Sequence, residues 1–254
     1  MNAAKSLAKR MLAKMGYEMR RKPSELAQAQ AQAPPPHLGQ DPFLNMQSLA
    51  QQKQPPIIFD VGANLGQSIF QFRYVFPASQ IHAFEPGRRT FAELSKKTSD
   101  LSNLFLNNVG LGSEVGKLKF IENSSSEMSS FLEPGEDCWG AVAARVDVPL
   151  DTVDSYCGKN KIKAIDILKI DTQGFDFEVI KGATTLLSEN RVHLIFTEVI
   201  FSEIYKGIPR FDELFGFLAD RGFSLVSFYE MYYRRERLSW TDALFINPQY
   251  IKAL

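Results

Sequence analysis

Chemistry first becomes visible at Asp60-Val-Gly62-Ala-Asn64-Leu-Gly66, and again at Glu85. The apolar run IIFDVG leads into the first group, and SIFQFRYVF follows with apolar residues at helical spacing. The group therefore lies on a strand-to-helix turn. Such a turn needs residues that tolerate positive φ and let a ligand approach the backbone. Gly62 and Gly66 do so freely, and Asn64 is one of the few other residue types that visit that region. In a G-x-G-x-x-G loop the same geometry sets a pyrophosphate against the helix N-terminus. Here the middle spacing differs and Asp60 precedes the first glycine, which suits a ligand bearing an ammonium group instead of phosphates. S-adenosylmethionine is such a nucleoside. Glu85 closes the next apolar run, QIHAFEP, about 20 residues further on, where a carboxylate can accept both ribose hydroxyls. The plainer reading is that the glycines only serve a turn and Glu85 caps the helix beyond Pro86.

Two more acids stand at strand ends, Asp171 closing ILKID and Glu198 near the end of LIFTEV. In open α/β sheets ligands lie beyond the carboxyl ends of the strands. An alkyl hydroxyl is a poor nucleophile at neutral pH, so a carboxylate that accepts its proton during in-line attack on a sulfonium methyl would help. Holding oxygen and carbon in line supplies much of the remaining acceleration. Asp171 and Glu198 are therefore expected as the base or as substrate-orienting groups. Asp171 has the alternatives of capping the next helix or binding the cofactor, and Glu198 that of a satisfied internal acid. The pair could also hold a divalent cation, but without further placed ligands no metal is expected. Of the histidines, His193 begins its strand, His82 lies inside one, and His37 sits among prolines, so a histidine base is disfavoured.

These groups need strands and helices in alternation, and the chain supplies them. Strands read at IIFDVG, QIHAFEP, LFLNNVGL, AIDILKID and VHLIFTEVI; helices read at SIFQFRYVF, RRTFAELSKKTSD, residues 175–187 and the stretch around 211–218. Gly112 and Gly116 punctuate a hairpin into KLKFIEN. The polar stretch 124–144 is too long for an ordinary connection and is a candidate lid on the acceptor side, with Met128, Trp139, Glu133, Glu136 and Asp137 available to a sugar. Two long strands, 223–233 and 238–246, turn through RRER and should form an antiparallel hairpin. The rest implies an α/β fold with a parallel sheet covered by helices on both faces.

The domain so read spans 55–254. Ahead of it, residues 26–54 form an Ala/Gln/Pro-rich linker with a small helix near 43–49, and residues 1–25 form a basic tail. Leu7, Met11 and Met15 recur at helical spacing among lysines, a short basic amphipathic helix with possible peripheral membrane contact. The tail holds seven basic and two acidic residues in a chain that is neutral overall. Neutrality argues against a nucleic-acid partner. Cys138 and Cys157 have the spacing of neither a disulfide framework nor a zinc site. No apolar run approaches the roughly 18 residues of a membrane span. A cytoplasmic location follows as the expectation, at most peripheral on the inner membrane face.

Five fragments, IIFDVGANLGQS, HAFEP, NNVGLGS, ILKIDTQGFDFEVIKGA and LIFTEV, resemble in order and spacing the FkbM family of methyltransferases, over residues 55–248. The resemblance implies a Rossmann-like class I methyltransferase fold, with a mostly parallel seven-stranded sheet whose last strand runs backward. It implies S-adenosylmethionine as cofactor and O-methylation, often of sugar hydroxyls, so that the expected partner is a sugar or glycan acceptor. Matching positions imply cofactor contacts at Asp60, Gly62, Asn64, Gly66 and Glu85, and at Asn108 near the adenine. Many members read Asp-Val-Glu-Gly where this chain has Asp171-Thr-Gln173-Gly174, so one carboxylate is an amide here. Two other readings stay open: a nicotinamide-dependent oxidoreductase, which would want the full glycine fingerprint, and a non-catalytic interaction module that keeps the pocket for stability.

Overall fold

A computed structural model of the chain describes residues 38–50 and 55–250. The tail helix expected over 1–25, most of the linker and His37 lie outside the described residues. The strands are β1 (Ile57–Val61), β2 (Gln80–Phe84), β3 (Leu104–Asn107), β4 (Gly110–Leu111), β5 (Gly116–Asn123), β6 (Val142–Asp151), β7 (Ile165–Ile170), β8 (Val192–Ile200), β9 (Ser224–Arg234) and β10 (Arg237–Ile246). Seven of them form one sheet in the order β3-β2-β1-β7-β8-β10-β9. β1, β2, β3, β7 and β8 pair in parallel, while β10 runs antiparallel to both β8 and β9. This is the Rossmann-like class I layout, with the reversed strand inserted before the last. Both faces of the sheet are covered, which is why the parallel strands read as nearly unbroken apolar runs. Phe59 and Val61 enter the core on one face and Ile58 that on the other. Asp60 is the exception, a fully buried acid within that run.

The small helix ahead of β1, α1 (Pro42–Leu49), belongs to the packing of the domain. Asp41 caps it by accepting from the Leu44 amide at 3.0 Å, and Pro42 opens its first turn. Its Met46 is fully buried, and Phe43 meets Phe72 of α2 (Gln67–Val75) edge to face at 5.0 Å. The packed domain thus begins before Pro55, the boundary read from composition. Among the described residues no helix is long and apolar enough to cross a membrane.

Three sequence expectations change. LFLNNVGL is two strands in two sheets, because the chain turns at Asn108 and β4 joins a three-stranded sheet of order β4-β6-β5. The hairpin through Gly112 and Gly116 is absent: β5 pairs antiparallel with β6, which also carries β4. The sequence reading assigns neither that strand nor α4 (Val153–Asn160) after it: residues 145–148 of β6 alternate polar and apolar as a strand does, but Pro149 interrupts the run. The helix expected over 175–187 is two, α5 (Asp176–Lys181) and α6 (Thr184–Ser188). Its break lies where the loop after β4 presses in: a Cβ on Gly182 would stand 2.0 Å from the Gly112 carbonyl oxygen.

That contact is testable. Gly182→Ala should lower stability by roughly 1–3 kcal/mol, since the clash is with backbone. Gly158→Ala, on α4 with nothing within 4 Å of the new methyl, should raise it by about 0.5–1 kcal/mol. Urea unfolding checks both; an unchanged midpoint for Gly182→Ala would show that the helix break does not depend on this contact.

Candidate active site

The strand order reverses between β1 and β7, and the turns after these strands face each other there. A crevice at such a switch point is where doubly wound sheets bind ligands. The two turns nearly touch: Gly62 has φ +78°, and a Cβ on it would stand 1.9 Å from the Asp171 carbonyl oxygen. The β1 turn also hangs on β2, since the Gly62 and Ala63 amides donate to the Phe84 carbonyl at 3.0 Å each. Asn64 takes φ +45° and Gly66 φ +91°, which ends the turn as the N-cap of α2.

Glu85 closes the gap between the β1 and β2 turns. Its carboxylate accepts from the Asn64 amide at 3.0 Å and the Gly87 amide at 2.8 Å. Gly87 is the N-cap of α3 (Arg88–Lys97), so Glu85 also steadies the start of that helix. Burial dominates its environment and pushes its pKa up to about 7, against the two amide hydrogen bonds that favour the anion. Asn108 donates to the carbonyls of Glu85 and Pro86 at 2.8 and 3.1 Å.

A cleft opens over these turns. Gly62, Asn64 and Glu85 line one side, Phe84, Val109 and Phe131 supply apolar walls, and Ser126, Glu127 and Ser129 roof it. Of the residues expected to hold the cofactor, Gly62, Asn64 and Glu85 border the cleft. Asp60, Gly66 and Asn108 stand behind it, holding the turns. Phe131 and the roof come from the long loop between β5 and β6, where spacing offered no cue to which side chains turn inward. One observation tests the cleft for an ammonium-bearing nucleoside: the side-chain oxygen of Asn64 is buried and has no hydrogen-bond partner. A buried acceptor left unpaired marks a place for a donor.

A second, wider cavity shares Gly62, Asn64 and Asp171 with the first and extends toward α1 and β10. Its charged residues were largely invisible in the sequence. Lys169 is 6% exposed and pairs with Asp60 at 2.9 Å, with the Gly62 carbonyl at 3.2 Å and Asp171 at 3.7 Å. Burial opposes its charge, but Asp60 and Asp171 outweigh burial and hold its pKa above the ordinary lysine value. Asp242 on β10 stands in register with Glu198 on β8. Burial, reinforced by Asp171, pushes Asp242 up to about 7. A lone lysine in ILKID and a lone aspartate in WTDALFI were the available signals, since each interrupts an apolar strand.

Asp171 and Glu198 are brought together, and Gln173 joins them. The Gln173 amide donates to Asp171 at 2.8 Å and Glu198 at 3.3 Å, while its oxygen accepts from the Tyr205 hydroxyl at 2.9 Å. A glutamate at 173 would add one more negative charge to a group already holding Asp171, Asp176, Glu198 and Asp242. Burial, then Asp171 and Asp176, hold the Glu198 carboxyl well above the usual carboxylate range. The helix-capping role weighed for Asp171 is not filled, since Phe175 is the N-cap of α5 with no side-chain cap; Asp176 instead orders the turn before the helix, accepting from the Thr172 amide and hydroxyl and the Gly174 amide. Burial and Asp171 push Asp176 up to about 6. Asp171 remains 44% exposed at its side chain and free to face both cavities. Among the described residues no three His, Cys, Asp or Glu converge as a metal-ligating group.

The Asp60–Lys169 pair should matter beyond the site. Lys169→Met leaves a fully buried carboxylate unpaired and should cost about 3–5 kcal/mol in urea unfolding. Replacing both partners with apolar residues should recover most of that; equal losses in single and double variants would show that packing, not charge, is at stake. Asp242 generates a pH prediction. Its folded pKa of about 7 lies above the unfolded value near 3.9, so the folded state keeps a proton that the unfolded chain releases between those values. Its contribution to stability therefore falls as pH rises through that window. Asp242→Asn should melt above the parent protein at pH 8, with the gap closing toward pH 3; a gap independent of pH would contradict the assignment.

The chain is similar to known methyltransferases. The model of the FkbM methyltransferase domain matches residues 60–225. The 2-O-methyltransferase NoeI of Sinorhizobium fredii is 26% identical over 167 residues, covering 61% of this chain and 68% of that protein. Methyltransferase sdnD of Sordaria araneosa is 27% identical over 220 residues, covering 75% and 79%. Among solved structures, a methyltransferase FkbM from Methylobacillus flagellatus superposes with a TM-score of 0.47 at 11% identity, over 97% of this chain and 71% of that one. The family match spans more than half of the sequence and includes both turns of the switch point: the chain belongs to the FkbM methyltransferase family.

Proposed function

We propose that the chain is an S-adenosylmethionine-dependent O-methyltransferase whose acceptor is a sugar hydroxyl of a glycan or glycosylated metabolite. The observation that carries this reading is the meeting, at one switch point, of a cleft lined by Gly62, Asn64 and Glu85 with a bridged pair of carboxylates. S-adenosylmethionine, when bound, supplies an electrophilic methyl group. Glu85 would accept the ribose hydroxyls, and Phe84, Val109 and Phe131 would flank the adenine. The side-chain oxygen of Asn64, which has no partner, would accept from the ammonium. The sequence suggested Asp60 for that part, but its charge is already matched by Lys169 and its other oxygen accepts from Ser68 at 2.5 Å.

Asp171 is the proposed base, since it is the acid of the pair that reaches both cavities. Gln173 fixes its orientation and ties it to Glu198, whose pKa burial raises. Such a base typically contributes 10²–10⁴-fold, the remainder coming from alignment of oxygen and methyl carbon. Oxygen as the nucleophile is supported by the printed activity of one relative, a 2-O-methyltransferase. A sugar is favoured over nucleic acid because Asp41, Glu127, Asp171, Glu230 and Asp242 ring the second cavity and would repel phosphates.

Calorimetry with S-adenosylmethionine and with NADH tests the cleft: binding of the first and not the second is expected, and Gly62→Ala should abolish it. Tight NADH binding alone would reverse the reading toward an oxidoreductase. Asp171→Asn should keep cofactor affinity while lowering kcat about 100-fold or more for radiolabelled methyl transfer to sugars. Full activity in that variant would remove Asp171 as the base.

A further inference from the structure

The chain has two tryptophans, Trp139 and Trp240, and they meet with ring centroids 5.8 Å apart. Tyr232 stacks on Trp240 at 4.6 Å with the rings 10° from parallel, and keeps 41% of its surface exposed. Side chains alternate along a strand, so Leu244, Asp242 and Trp240 share one face of β10. Leu244 lies in the core beside α1, Asp242 borders the second cavity, and Trp240 sits one pleat repeat further out, about 7 Å. On β8 their partners are Glu198 beside Asp242 and Ile200 beside Trp240. The aromatic group therefore continues the row that carries the acids.

Strand β9 is bent to complete it. Tyr229 stands opposite Asp242 but Tyr232 stands opposite Trp240, so β9 advances three residues while β10 advances two. A bulge of one residue reverses the alternation and re-aims the side chains beyond it. Without it Met231 would share the face of Tyr229, and Tyr232 would point to the other side. Within the bulge Glu230 holds φ +41°, an uncommon conformation for a non-glycine residue that surrounding structure must enforce. Glu230 lines the second cavity and accepts from the Tyr232 hydroxyl at 2.6 Å. Trp139 is set from the other side, its ring 4.9 Å from the Arg234 guanidinium, which also donates to the Asp137 carbonyl.

Resting on the sugar reading above, we propose that Tyr232, Trp240 and Trp139 form a carbohydrate-stacking subsite. It seats the ring next to the one that is methylated, so the acceptor contains more than one sugar ring. Sugar rings offer polarised C–H faces to the negative faces of aromatic rings, while their hydroxyls meet acceptors at the rim. Here Glu230 and Asp242 are those acceptors, one pleat from the platform. A flat aromatic face with a carboxylate rim suits a polyhydroxylated ring better than an apolar chain.

Both tryptophans belong to the subsite, so tryptophan emission reports on it alone. The full chain is titrated with maltotriose, cellotriose, chitotriose and the matching methyl monoglycosides, together with any glycan that it methylates. A saturable emission change is expected with an oligosaccharide, at least tenfold weaker with its monoglycoside. Tyr232→Ala, which keeps both tryptophans, should weaken oligosaccharide binding by roughly tenfold, the scale of one aromatic contact. Tyr232→Phe, which keeps the ring, should bind nearly as well. Methyl transfer to an oligosaccharide without any emission change, or with KM unmoved by Tyr232→Ala and Trp240→Leu, would overturn the subsite and leave the methyltransferase reading standing. An emission response without transfer to any sugar would overturn the acceptor reading and, with it, the subsite's place beside a methylated ring. Silence in both measurements would remove both.

Discussion

One buried ammonium group, that of Lys169, stands among the carboxylates of Asp60, Asp171 and Asp242, and the site depends on that imbalance; Asp176 and Glu198 adjoin Asp171 in the same cluster. Lys169 sits on the central strand, against Asp60 at 2.9 Å and near Asp171 at 3.7 Å. Burial, reinforced by the neighbouring acids, raises the pKa of three acids there: Asp176 to about 6, Asp242 to about 7, Glu198 well above its ordinary range. The result is a graded set of acids within one crevice, which is the condition under which carboxyl groups divide into donors and acceptors. Gln173 fits this pattern as a neutral bridge. It satisfies two carboxyl oxygens without adding charge, and the departure from the common family motif becomes a way of keeping the pair close.

The same ion pair has a mechanical side. Lys169 also donates to the Gly62 carbonyl at 3.2 Å, so it ties the cofactor-side turn to the strand that carries the acids. Gly62 in turn leaves no room for a side chain against Asp171. The cleft and Asp171 are thus held at a fixed separation by contacts between the β1 and β7 turns, with β2 and β8 bracing them through Phe84 and Glu198. The roof is supplied from elsewhere, by the loop between β5 and β6, and the outer rim by β9 and β10. A rigid centre with peripheral elements of varied origin is how one fold serves many acceptors.

Much of this was legible in the chain. The alternation of apolar strands and amphipathic helices named the fold, because burial on both sheet faces demands it, and the glycine-rich turn with Glu85 beyond it named the cleft. Asp171 and Glu198 were expected from the rule that strand ends face the ligand, and the structure brings the two together through Gln173. What could not be found shares a cause. Lys169 and Asp242 lie inside strands that read as core, and only pairing across β1, β7, β8 and β10 turns them toward one space. Phe131 and the roof depend on how an irregular loop folds back. The bulge at Glu230 shifts alternation by one residue, and nothing in FYEMYYRRER marks where it falls.

By itself the sequence determined the elements and the turn chemistry, since hydrophobic period and backbone tolerance are local properties written in residue types. Tertiary structure decided which charges meet, which of them keep their protons, and which aromatic rings share a face. Those outcomes depend on distance and burial between strands far apart in the chain, and no local pattern carries them.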